Sequence, residues 1–128
     1  MSPLALVRAA ELSDDTAQTA GMARAEAVSG RTVGARCLWM GRAVVAPRTT
    51  SAAHHHGESE TGIYVVAGRP EFWYRDGDQI VRLRPAPGDY VWVPPHVPHV
   101  EANPHEVPAV VVIARSTQEA VVVNLDDL

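Results

Sequence analysis

Three consecutive histidines, His54, His55 and His56, are followed by a proline-flanked pair, His96 and His99, within Pro94-Pro95-His96-Val97-Pro98-His99. Neutral imidazole is a common ligand for divalent transition metals, so clustered histidines raise the prospect of a metal site. In an extended strand successive side chains point to opposite faces, which puts His54 and His56 on one face and His55 on the other. Two imidazoles from one strand and a third, His99, from a paired strand would complete such a site. Glu101 follows His99 by two residues and shares its face if the strand is regular. A carboxylate facing an apolar interior beside a metal is either a ligand or a general base with a perturbed pKa.

Strands must position these residues. From Thr32 onward the chain reads as short runs rich in Val, Ile, Tyr and Trp: 33–40, 43–46, the His54 region, 61–66, 71–74, 79–83, 90–93, 99–102 and 109–115. Turn-forming clusters separate them, the clearest being Arg75-Asp76-Gly77-Asp78, where Asp-Gly supplies the positive φ of a tight hairpin. Many short strands with no helical pattern between them indicate an all-β sandwich or barrel. Residues 1–30 are Ala-rich and irregular. Ser13-Asp14-Asp15 could cap a short helix running to about Ala25. The expected organisation is an N-terminal extension over 1–30, a β-barrel over 31–118 and a C-terminal tail over 119–128, exposed and frayed over Asn124–Leu128.

Composition narrows the function classes. The chain has 128 residues, enough for one domain with a single core, and a formal net charge of −4. All eleven basic residues are arginine, and none forms a basic stripe, which argues against a nucleic-acid partner. No run approaches the roughly 20 apolar residues of a membrane span, so a cytoplasmic protein without a membrane partner is expected. Cys37 is the single cysteine, which leaves no intramolecular disulfide and suggests a buried, inert thiol.

The histidine segments resemble the two motifs of the cupin family. The second motif runs through Gly88, Pro94, His96, His99 and Asn103 with every spacing kept, His96 standing where the family has glycine. In the first, His54 and His56 form the His-x-His and Glu60 follows after three residues. Arg48 fills the leading glycine slot, and Gly68 falls one residue late. Aligned from Gly68, Thr61 takes the glutamate slot. The resemblance spans about residues 35–115. It implies a double-stranded β-helix, or jelly roll, with one divalent metal ion (Zn, Fe or Mn) held by His54, His56, His99 and Glu60. His55, His96 and Glu101 compete with Glu60 for the fourth position.

Among catalytic members, the chain resembles the small cupin-type aromatic polyketide cyclases. That likeness implies metal-assisted aldol-type cyclisation of a small or flat apolar carbonyl substrate. Glu101 and Tyr64 are the candidate catalytic residues, and Trp39, Tyr64 and Trp92 the candidate cavity wall. A three-histidine iron dioxygenase and a non-catalytic metal- or small-ligand-binding cupin are the alternatives. An edge strand and an apolar outer face lead to a homodimer as the expected assembly, with residues 1–35 able to lend a strand to a neighbour.

Overall fold

The computed structural model describes residues 4–118 and 122–128. Its strands are β1 (Met22–Val28), β2 (Trp39–Val45), β3 (Thr49–Thr50), β4 (His54–His55), β5 (Thr61–Ala67), β6 (Glu71–Asp76), β7 (Gln79–Leu83), β8 (Tyr90–Val93), β9 (Val100–Asn103), β10 (Ala109–Arg115) and β11 (Val123–Asn124). One sheet is ordered β1-β2-β10-β5-β8 and faces a second ordered β3-β9-β6-β7, with the short pair β11-β4 beside them. This antiparallel arrangement is the jelly roll that the motifs imply. No helix in the described residues is long and apolar enough to cross a membrane.

Alternation builds the core. Along β10, Ala109, Val111, Ile113 and Arg115 point inward and the residues between them outward. β5 does the same with Thr61, Ile63 and Val65. Val65 and Val111 are fully buried beside Val45, Ile63 and Phe72. Each such side chain contributes roughly 1.5–3 kcal/mol by leaving water. Gly41 on β2 has no room for a side chain, because a Cβ there would lie 2.6 Å from the Trp39 ring. The predicted hairpin is present, with Asp76 opposite Gln79 and Gly77 at φ 62°.

Both ends of the chain depart from expectation. The helix expected up to Ala25 is absent. Among the described residues of this segment there are only a 3-10 turn at Ala9–Glu11 and a one-turn helix, α1 (Gly30–Val33). Met22–Val28 instead forms β1, paired with β2 of the same chain, so the barrel starts near residue 22 rather than 31. The local pattern Met22-Arg24-Glu26 inward is polar, so its strand character comes from pairing with β2 rather than from an apolar stripe. The tail, too, is docked. Val123 and Asn124 pair with His55 and His54, and Leu125 N–H donates to the Ala53 carbonyl at 2.8 Å. The part of the expected C-terminal tail at 119–121 lies outside the described residues. Cys37 is exposed, in the loop before β2, and not buried.

Candidate metal centre

His54 and His99 meet because they are directly opposed in a backbone pair. His54 N–H donates to the His99 carbonyl at 3.0 Å, and His99 N–H donates back to the His54 carbonyl at 2.9 Å. Such a pair holds both side chains on the same face. Thr49 and Thr50 pair with Asn103 and Ala102, and the register slips by one residue before His54 reaches His99. Without that slip Ala53 would oppose His99 and His54 would turn outward. An extra residue in one strand is how bulges re-aim side chains. His56 follows on the inner face two residues later.

The three histidines are buried, and their ligand nitrogens all lie within 4.8 Å of one another. Ring centroids of His54 and His99 are 4.4 Å apart, and each is 5.2 Å from that of His56. The donor set fits a metal ion in its tautomers as well. His54 Nδ1 lies 2.9 Å from the Ala52 carbonyl, and His99 Nδ1 lies 3.0 Å from the Val97 carbonyl. A carbonyl only accepts, so each Nδ1 carries the proton and each Nε2 carries the lone pair a metal would use, that of His54 accepting here from Arg24 Nη2. This backbone anchoring is the usual outer support of a metal-binding histidine. Burial lowers the His54 pKa to about 3, helped by His99, and lowers that of His99 to about 4, so both are neutral near pH 7.

Three inward-facing charges surround the histidines. Glu101 on β9 is fully buried, and burial raises its carboxyl pKa to about 7 against the pull of Arg24 and Arg115. Arg24 on β1 donates from Nη1 to Thr19 Oγ1 at 2.8 Å, and its Nη2 lies 3.3 Å from His54 Nε2. Arg115 ends β10 with its guanidinium carbon 4.4 Å from the centre of the Trp39 ring. Burial lowers its pKa to about 9. Neither arginine was singled out from sequence. Arg115 had a signal, since it continues the inward set of its strand.

Glu60 does not join the group. Thr61 is the first residue of β5 and faces inward opposite Arg115, so alternation turns Glu60 outward. There its carboxylate accepts the Trp92 Nε1–H at 2.7 Å. The inward slot thus holds Thr61. His55 points away, with its Nδ1 accepting from Gly57 N–H at 3.0 Å and its ring 5.9 Å from that of exposed His96. Tyr64 lies on the outer face of β5, its ring centre 4.9 Å from that of Tyr90, so it does not reach the histidines as a catalytic residue. Trp39 is in the core rather than in a cavity wall, whereas Trp92, though largely exposed, does line a cavity, as expected. That cavity, of about 440 Å³, is shared by Trp92 with His99, Phe72, Tyr74, Leu83 and Val93.

The backbone keeps what the motifs lost in glycine. Arg48 and His96 occupy two family glycine positions, and both have positive φ, 52° and 63°. These are the two non-glycine residues with positive φ among the described residues. His96 is held there by its N–H donating to the Gly57 carbonyl at 2.7 Å.

A model of the cupin domain matches residues 41–115, which include all three histidines. The chain is a cupin. No curated protein sequence matches this cupin. Among solved structures it is similar to an oxalate oxidase in complex with the substrate analogue glycolate, at 18% identity and a TM-score of 0.74, covering 88% of this chain and 59% of that one. It is also similar to the Bacillus subtilis oxalate decarboxylase with Mn(II) centres, at 16% identity and a TM-score of 0.76, covering 91% of this chain and 30% of that one. Peruvianin-I, a cysteine peptidase from Thevetia peruviana latex, matches at 19% identity and a TM-score of 0.72, over 84% of this chain and 69% of that one. At these identities the likeness is one of fold. The cupin spans less than two thirds of the oxidase and less than one third of the decarboxylase. Its three histidines can hold one divalent metal ion, and imidazole donors alone do not choose among zinc, iron and manganese.

Proposed function

We propose that this cupin is a metal-dependent enzyme acting on a small or flat apolar substrate that carries a carbonyl group, with aldol-type cyclisation of a polyketide as the specific reading. The observation that carries it is the convergence of three buried histidines, two of them neutral near pH 7 with Nδ1–H anchored on backbone carbonyls. His54, His56 and His99 would hold the ion. Bound there, a divalent metal supplies Lewis-acid polarisation of a carbonyl oxygen.

The protein's own groups do the rest. Glu101 is the proton carrier of this reading, because a carboxyl titrating at about 7 has both forms populated at neutral pH. Arg24 and Arg115 favour its ionised form. The apolar cavity beside His99 would bind the hydrophobic body of the substrate and exclude water. A second copy of the chain would cover the apolar outer face around Tyr64, Val66, Tyr90 and Trp92, giving a homodimer.

A three-histidine iron dioxygenase is the second reading. It is favoured by the outward turn of Glu60, which leaves the ligand group without a carboxylate. Elemental analysis of untagged protein tests both readings. About one metal per chain, lost in His99→Ala, is expected, and absence of any bound metal would refute both. Activity independent of dioxygen with zinc bound would exclude the oxygenase. In Glu101→Gln, metal retained with turnover slowed at least tenfold supports the proton-carrier role, whereas loss of metal would make Glu101 a ligand instead.

A further inference from the structure

The interior beside the histidines carries more positive charge than it neutralises. Arg115 is 1% exposed, and its Nε, Nη1 and Nη2 all lack a hydrogen-bond partner among the described residues. Arg24, also 1% exposed, has an unpartnered Nε, and Glu101 has an unpartnered Oε2. None of the ion pairs among the described residues joins these three groups. Yet each acts electrostatically on the others, and both arginines act on His54 and His99.

A buried guanidinium with no accepting partner is costly, since its five N–H donors have given up water for nothing. One carboxylate against two guanidiniums does not balance, and a divalent ion on the histidines would widen the excess. What the cluster lacks is an anionic acceptor. Arginine presents parallel N–H donors matched to the two oxygens of a carboxylate. The flat face of the Arg115 guanidinium is already taken by Trp39, so its in-plane donors are what remain for a ligand.

We propose that Arg115, assisted by Arg24, forms a carboxylate-binding subsite next to the three histidines, and that the molecule this cupin acts on carries a carboxylate. This rests on the enzymatic reading above for the word substrate, but the subsite itself does not require a metal. Arg115 anchors the carboxylate through its fork, and the His99 cavity takes the apolar remainder.

The test is equilibrium binding of acetate, malonate and inorganic phosphate to chelator-treated and to zinc-loaded full-length protein, followed by tryptophan fluorescence and by calorimetry. Trp39 lies against Arg115, so its emission should change on binding. Saturable binding of a carboxylate in at least one form is expected, weakened about tenfold to a hundredfold in Arg115→Met, the range for losing charge-assisted hydrogen bonds. Arg115→Lys keeps the charge without the fork and should still weaken binding about threefold or more. Carboxylate binding that is absent from wild type, or unchanged in these variants, overturns the proposal. Phosphate binding tighter than either carboxylate overturns the assignment of ligand class. Zinc bound without carboxylate binding would sink the subsite and leave the metal reading standing. Carboxylate bound by a protein that takes no metal would do the reverse.

Discussion

Replacing Glu101 by glutamine in the metal-free protein should make stability less dependent on pH, in a direction that burial dictates. The carboxyl titrates at about 7 in the folded chain against an ordinary value of 4.5. Its folded pKa is raised, so the stability it confers is fully present below pH 4.5 and is lost as pH rises through 7. At 1.36 kcal/mol per pKa unit, wild type should lose about 2.5 kcal/mol from this group between pH 5 and pH 8. Glutamine does not titrate, and its own burial cost is the same at both pH values. The histidines titrate in both proteins, so their contribution cancels in the difference. Urea unfolding of chelator-treated protein, followed by the emission of buried Trp39, measures that difference directly. Relative to wild type, Glu101→Gln should gain about 2.5 kcal/mol on going from pH 5 to pH 8. A difference that stays flat, or that falls with pH, would show that the Glu101 carboxyl is not held in its neutral form by burial.

Four further outcomes follow from the geometry. Metal-free wild type should also lose stability as pH falls from 6.5 towards 4, because His54 and His99 resist protonation in the fold, and saturating zinc should raise stability across that range and move the acid-unfolding midpoint lower without flattening the slope. His96→Gly and Arg48→Gly should each raise stability by about 0.5–1 kcal/mol in the same unfolding assay, since glycine relieves the positive φ at both sites. Tyr64→Phe should leave metal content and turnover unchanged, because the phenol is on the outer face; a loss of turnover would restore it to the site. Trp92→Asp together with Tyr90→Asp should shift a dimer to monomer in size-exclusion chromatography, and an unchanged elution volume would place the partner elsewhere.

The three histidines that could hold a metal were legible because they depend on short-range rules. Alternation along one strand separates His54 and His56 from His55, and motif spacing adds His99. The strand segments 79–83, 90–93 and 109–115 are equally local, and the structure reproduces them residue for residue. Glu60 shows where such rules fail. It and Thr61 are adjacent in sequence and competed for one slot. The pairing of Thr61 with Arg115 and Val93 settles which of them faces inward.

The rest of the site has no local signature. Arg24 lies in a segment whose Ala-rich composition reads as helix, and it becomes a strand only by pairing with β2. Its guanidinium reaches His54 across thirty residues of sequence. The one-residue slip before His54 is likewise invisible locally, since it exists only relative to β9. From sequence alone, then, come the fold class, the three histidines and the nearby carboxylate, because periodicity is a property of a single strand. Tertiary structure alone selects the bystanders, Glu60 and Tyr64, and supplies the buried arginines. Which charges share an interior is decided by register between strands, and register belongs to pairs of strands rather than to either one.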